Sequence, residues 1–274
     1  MTTRAETQPG QPPIVVDGLT MAYGERVIQH DLSFTVREGD IFIVMGGSGC
    51  GKSTLLRHLI GLKPPAAGRV LYRGQDFWAA GRRERDRILR RCGVLYQSGG
   101  LWSSMTLAEN VALPLEEYAD LAVGEVRDIV AAKLALVGLA GFGDYYPAEI
   151  SGGMQRRAGL ARAMALDPDV LFFDEPSAGL DPVSARRLDD LILELRDSLG
   201  ATVVVVTHDL ASIFAIGTNS VFLDAASHRP IAWGPPRELR EHAPDATVRE
   251  FLTRGGRDEA DSLGRAAAKG RTSP

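Results

Sequence analysis

Several short apolar runs pace this chain. Ile41-Phe42-Ile43-Val44-Met45, Gly93-Val94-Leu95-Tyr96, Val170-Leu171-Phe172-Phe173, Thr202–Val206 and a run ending at Asp224 lack regular polar alternation. Each reads as a strand buried on both faces. Between them the period changes. Val126, Ile129, Val130, Leu134 and Val137 form a helical stripe over Glu125–Val137. Helices are also expected over Thr54–Ile60, Pro182–Leu199 and Leu210–Ile216. Thr106-Leu107-Ala108-Glu109 is a T-x-x-E capping box, opening a helix that Pro114 is expected to stop after Leu113. Near the N-terminus, two β-rich segments over Ile14–Val36 flank Tyr23-Gly24-Glu25-Arg26, and Arg69–Tyr72 reads as a further strand. Arg82–Arg91 reads as a basic helix with a solvated face. Strands alternating with helices predict an α/β fold with a mostly parallel sheet covered on both faces.

The 274 residues allow one large domain, and 45% hydrophobic residues suit a globular chain. No uncharged apolar run reaches the roughly 18–20 residues of a membrane span. Met1–Pro13 has no apolar stretch of the signal-peptide kind and reads as a flexible arm. The net charge of −4 argues against nucleic acid as the main partner. The two cysteines, Cys50 and Cys92, make neither a metal pattern nor a disulfide framework. Past Thr253 the chain is polar and rich in Gly, Ala and Arg, and a disordered tail is expected over 253–274.

Two segments carry chemistry. Gly46-Gly47-Ser48-Gly49-Cys50-Gly51-Lys52-Ser53 spells G-x-x-x-x-G-K-S, with Thr54 continuing into the helix. Strand, glycine loop and helix is the context of a phosphate-binding P-loop. The glycines let successive N–H groups converge on one anion, and the helix N-terminus adds partial positive charge. Lys52 reaches the terminal phosphates, and Ser53 offers a hydroxyl to Mg²⁺. A nucleoside triphosphate site is implied. Cys50 lies inside this loop, so two alternatives stand: a reactive thiolate, or a buried inert thiol. Asp174 and Glu175 end the Val170–Phe173 strand. Asp174 is placed to face Mg²⁺, and Glu175 to orient a water aimed at the γ-phosphate. Upstream, Ser151 is a good N-cap before Gly152-Gly153, which makes a second anion site at a helix N-terminus. One P-loop already serves one γ-phosphate, so the second site would face another nucleotide.

Ser151-Gly152-Gly153-Met154-Gln155 also resembles the signature of the ATP-binding-cassette (ABC) ATPases. The other landmarks of that family follow in order: Tyr23 as the adenine-stacking aromatic, Gln97 as the Q-loop, Ser177–Asp181 as the D-loop, and Thr207-His208-Asp209 as the switch histidine. The resemblance covers about residues 14–242. It implies a P-loop NTPase (RecA-like) core with an antiparallel β subdomain and an inserted helical subdomain at about 98–160, the ATPase domain filling 14–252. It implies ATP and Mg²⁺ as cofactors. Ser53, Gln97 and Asp174 would hold the metal, and Glu175, His208 and Gln97 would act at the γ-phosphate. Ser151, Gly152, Gly153, Gln155 and Asp181 would close on the ATP of a second copy. Polytopic permease subunits would be the membrane partners.

Three stretches are similar to the Mce/Mla branch: Gln97-Ser98-Gly99-x-Leu101 with Asn110-Val111-Ala112-x-Pro114-Leu115, Ser151–Arg157 with Leu160–Ala163, and Val248-Arg249-x-Phe251-Leu252. This branch powers transport of phospholipids or other hydrophobic molecules across bacterial envelopes, so an Mce-type protein is an indirect partner. The cytoplasmic face of the inner membrane is the implied location. Gln155 and the tail after Thr253 depart from the branch pattern. The alternatives are a cassette for polar solutes or efflux, a soluble ABC ATPase acting on ribosome or DNA, and a nucleotide-gated module without turnover.

Overall fold

The computed structural model describes residues 10–253. The expectations for 1–9 and for the tail after Thr253 lie outside the described residues. Gly10–Pro13 are described, and the Pro13 carbonyl accepts from Arg73 N at 3.2 Å, which fastens the arm.

Two sheets form the frame. The first is antiparallel, in the order β2-β1-β4-β5: β1 (Ile14–Tyr23), β2 (Arg26–Val36), β4 (Ala67–Tyr72) and β5 (Gln75–Asp76). The second runs β10-β9-β3-β8-β7-β6: β3 (Ile41–Gly46), β6 (Cys92–Leu95), β7 (Val170–Asp174), β8 (Thr202–Val206), β9 (Asn219–Asp224) and β10 (Arg229–Trp233). Five strands of the second sheet are parallel, and β10 closes the edge antiparallel to β9.

The apolar runs alternate between two cores, as a pleat requires. Ile41, Ile43, Leu171, Phe173, Val203 and Val205 face one cluster. Phe42, Val44, Val170, Phe172, Val204 and Val206 face the other. In the second cluster α1 (Lys52–Leu59) is sandwiched between the sheets through Leu55, Leu56 and Leu59. The first cluster holds α6 (Pro182–Leu199) and α7 (Leu210–Ile216). The same cluster continues into a helical lobe inserted between β6 and its neighbour β7: α3 (Leu107–Tyr118), α4 (Val123–Leu136) and α5 (Gly152–Ala163). Helix α2 (Arg82–Leu89) lies before β6, and α8 (Pro236–His242) follows β10.

Pro114 does not stop α3, which runs four residues further to Tyr118. The ring removes one donor, but Leu115 is buried in the lobe and accepts from Ala119 N at 2.9 Å. Packing outweighs the local breaker here. The capping box at Thr106 forms as expected: Thr106 Oγ1 accepts from Glu109 N, and Glu109 Oε2 accepts from Thr106 N. Helix α4 starts at Val123, two residues before its expected start, and Glu125 accepts from the Ala122 N–H. Residues 246–253 are helical, with Val248 and Leu252 buried in the first cluster and Phe251 edge-on to Phe222 at 5.1 Å. This segment docks on its own core.

Candidate functional site

The loop between β3 and α1 curls because its glycines allow it. Gly46 has φ +145°, and a Cβ there would collide with the Leu223 carbonyl and crowd Cys50 Sγ. Gly51 caps α1 at φ +104°, against Ile28, without a side-chain cap and without an acidic residue in the first turn. The N-terminal N–H groups of α1 are therefore left for an anion. Lys52 Nζ folds over the loop and donates to the carbonyls of Gly46 (3.0 Å) and Gly47 (3.1 Å).

A cleft of ≈ 700 Å³ opens over this loop. It gathers Gly46, Gly47, Ser48, Gly49, Gly51, Lys52, Ser53 and Thr54 with Gln97, Glu175 and His208. The sheet order explains the gathering. β7 and β8 are neighbours with Asp174 opposite Val206, so the residues just past their ends meet. His208 Nδ1 lies 2.8 Å from Glu175 Oε1. A carboxylate only accepts, so Nδ1 carries the proton in this contact. The Glu175 side chain is 15% exposed and that of His208 66%, so the carboxylate is sheltered and the ring faces solvent. Glu175 adopts φ +48°, a strained conformation for a residue with a side chain, held by its N–H donating to the Val206 carbonyl at 2.8 Å. Asp174 lies beside it. Burial pushes the Asp174 carboxyl up, the Glu175 charge adds to this, and Arg57 and Lys52 pull it back.

Serine hydroxyl, glutamine amide and carboxylate are hard oxygen donors, and among the described residues no cluster of three His, Cys, Asp or Glu side chains competes with them. Such a sparse set fits Mg²⁺, which keeps phosphate and water in its shell. The half-buried Asp174–Glu175 pair also leaves negative charge for a cation to offset.

The remaining expected residues sit elsewhere. Cys50 is buried beneath the loop and burial pushes its thiol up, so the inert alternative stands. Tyr23 is 44% exposed and does not line the cleft. Its hydroxyl accepts from Arg57 at 3.1 Å, and the Lys63 ammonium lies 4.3 Å from its ring centroid. Hydrogen bonding, first from Thr54 and then from Arg57, pulls its pKa down. Ser151 caps α5, accepting from Met154 N at 3.3 Å. Gln155 turns inward, its amide donating to the Pro147 carbonyl at 2.9 Å. Asp181 caps α6 by accepting from Val183 N and Ser184 N, both at 3.0 Å, and the Ser184 side chain, followed by these backbone bonds, holds its carboxyl low. Gly152 and Gly153 pack beside Leu180 and Ser184, so the heads of α5 and α6 are adjacent. Arg156 Nη2 ties them by donating to the Ala178 carbonyl at 2.7 Å.

Ile28, Leu210 and Phe251 also line the cleft, and sequence reasoning missed them. Phe251 had a signal, in the apolar patch 247–252. Ile28 and Leu210 had none, being ordinary apolar positions in a strand and a helix.

A family model described as ABC transporter matches residues 29–178. The chain belongs to the ABC transporter family. The matched span holds the phosphate loop, Gln97, the α5 head and the Asp174–Glu175 pair. This ABC cassette is 41% identical over 239 residues to the intermembrane phospholipid transport system ATP-binding protein MlaF of Haemophilus influenzae, covering 87% of this chain and 89% of that one. It is 42% identical over 229 residues to MlaF of Escherichia coli K12, covering 84% of each. The probable ribonucleotide transport ATP-binding protein mkl of Mycobacterium tuberculosis is 40% identical over 251 residues, covering 91% of this chain and 69% of that one. Among solved structures, a cassette determined as a dimer in a post-hydrolysis state with ADP and Pi has a TM-score of 0.73 at 28% identity, covering 81% of this chain and 98% of that one. CbiO1 of Clostridium perfringens has a TM-score of 0.77 at 25% identity, covering 90% and 97%. The ABC cassette is thus an ATP-hydrolysing subunit of a membrane transporter. Among the described residues no helix is long and apolar enough to cross a membrane.

Proposed function

We propose that this cassette hydrolyses ATP at the cleft over the phosphate loop and drives movement of phospholipid, or another hydrophobic molecule, across a bacterial envelope. The observation that carries the hydrolytic part is the Glu175–His208 contact, which sets a base and a proton-bearing ring in the same cleft as Lys52. Lys52 and the α1 N–H groups hold the phosphates. Ser53, Gln97 and Asp174 hold Mg²⁺, whose charge offsets that of the phosphates when bound. Glu175 orients the attacking water and accepts its proton. His208 is fixed by Glu175 through Nδ1 and turns Nε2 toward the γ-phosphate. Tyr23 stacks on adenine once its ring is free of Lys63.

The Ser151 and Asp181 helix heads are adjacent, exposed and outside this cleft, which supports their facing the nucleotide of a second copy. ATP then bridges two copies, and hydrolysis removes the bridge. That differential contact is the stroke. A second ≈ 700 Å³ groove, between α2, β6, α3 and α5, is lined by Arg82, Arg90, Tyr96, Tyr118 and Arg162. Its mix of guanidinium and aromatic groups suits a polar-and-apolar segment of a permease chain at the cytoplasmic face of the inner membrane.

The lipid cargo is supported by the 41–42% identity to the phospholipid system ATPases. The name of the mycobacterial relative favours a second reading, a ribonucleotide cargo. Glu175→Gln tests the site: ATP binding is retained and phosphate release falls by about 100-fold or more. Near-normal turnover removes Glu175 from the role. Mild-detergent purification tests the cargo: a polytopic chain with bound phospholipid supports the lipid reading, and a polytopic chain that binds ribonucleotide overturns it.

A further inference from the structure

Behind the switch histidine lies a largely buried chain of oxygens that the hydrolytic reading leaves unused. Ser212, on α7, places its hydroxyl 2.9 Å from Asp189 Oδ2 on α6 and 3.3 Å from Asp209 Oδ2 at the head of α7. A hydroxyl has one proton, and two ionised carboxylates can only accept. Both contacts are satisfied together only if one carboxyl supplies a second proton.

The surroundings say which. Asp209 is well provided with donors: Ser177 Oγ at 3.1 Å and Ala211 N at 3.0 Å. Among the described residues, Asp189 has Ser212 as its side-chain hydrogen-bond partner, and it is buried at 4% exposure. The charged groups facing Asp189 are Asp209 from α7, and Asp190 and Arg186 from its own helix. Two of these three repel a carboxylate, and Arg186 is turned toward Asp190 at 3.4 Å. Burial, joined by this repulsion and opposed by the Ser212 hydrogen bond, pushes the Asp189 carboxyl up to about 6.

With the proton on Asp189, the chain runs Asp189 to Ser212 to Asp209, with Ser177 closing it from the other side. Ser177 begins the loop that carries Asp181, and Asp209 follows His208. The chain therefore joins α6 to both loops. Without the proton, the buried Asp189 carboxylate and the half-buried Asp209 carboxylate share one hydroxyl hydrogen and repel. A cleft of ≈ 320 Å³ beside them, walled by Ser177, Leu180, Asp189, Asp209 and Ser212, gives them room to part.

We propose that Asp189 is a positioning residue for the switch segment 207–209, tethering it to α6 through Ser212 when protonated and releasing it when ionised. This rests on the reading of His208 given above and adds a proton-dependent control to it.

Two variants separate the states. Asp189→Asn keeps a donor toward Ser212 at every pH. Ser212→Ala breaks the tether at every pH. ATP turnover of each is divided by that of the wild type at about pH 5.5 and about pH 8. For Asp189→Asn the ratio is expected near one at the lower pH and about fivefold higher at the upper. For Ser212→Ala it is expected well below one at the lower pH and near one at the upper. Flat ratios in both variants overturn the proposal. Amide exchange of residues 209–213, compared at equal pH without ATP, reads the tether independently of His208. Slower exchange in Asp189→Asn than in wild type at about pH 8 supports it, and equal exchange overturns it. A His208→Ala variant that turns over ATP at the wild-type rate, with that protection intact, would fault the site reading instead.

Discussion

At Cys50 two influences oppose each other. A helix N-terminus and the neighbouring Lys52 favour thiolate, and a buried site disfavours it. Burial wins, because the thiol lies under the loop among Gly46 and the second cluster, where charge is poorly solvated. Maleimide is expected to label Cys50 at least about tenfold more slowly in the native protein than in the denatured chain. Rapid native labelling that ATP blocks would restore the reactive reading. Asp189 shows the same contest for a carboxyl. Its folded value of about 6 exceeds the ordinary value of 3.8, so the folded protein holds a proton that the unfolded chain releases. The stabilisation is full below the unfolded value and is lost as pH rises through about 6. Two units correspond to about 3 kcal/mol, so Asp189→Asn is expected to gain up to about that much over wild type at neutral pH and nothing in strong acid. Urea unfolding midpoints at the two pH values check this, and a gain that does not change with pH contradicts it.

Among the elements, α3 departs most from its local signals. Its start was readable, because a capping box is a contact between residues three apart. Its end was not, because Pro114 reads as a stop unless the burial of Leu115 is known. Asn110 anchors this helix to the loop after Gln97. It is fully buried; its two Nδ2 hydrogens are shared among the carbonyls of Trp102 (3.1 Å), Met105 (3.1 Å) and Thr106 (2.9 Å), and its Oδ1 accepts from Trp102 N (2.7 Å). Asn110→Ala leaves those buried backbone groups without their partner. A loss of about 1–3 kcal/mol is expected in denaturant titration. A change below experimental error would mean that water replaces the amide freely. Gln155 is a parallel case on α5. Its place in the signature was visible, and its inward turn to Pro147 depends on a 3₁₀ turn, Pro147–Glu149, that no period announces.

For the whole molecule, the last described segment is the helical stretch 246–253. The melting temperature of the chain truncated after Thr253, which keeps the 246–253 helix, is the reference. Truncation after Ala243 removes Val248 and Leu252 from the core, each worth roughly 1.5–3 kcal/mol of burial, and is expected to lower it by several degrees. Equal melting of both proteins would show that the 246–253 segment adds nothing to the core. The sequence by itself determined most of the strands, though not β5 or β10, together with the phosphate loop and most helices, because those depend on period and on spacings of a few residues. It also placed Glu175 and His208 on separate loops, 33 positions apart. Their meeting was decided by the order β3-β8-β7, which brings the strand ends together over the phosphate loop. The Asp189–Ser212–Asp209 chain likewise exists only once α6 packs on α7. Burial of Cys50, the rise at Asp189 and the inward turn of Gln155 are sums over neighbours distant in the chain. Local pattern encodes which face a residue takes, and only the packed fold decides which charges and hydroxyls share that face.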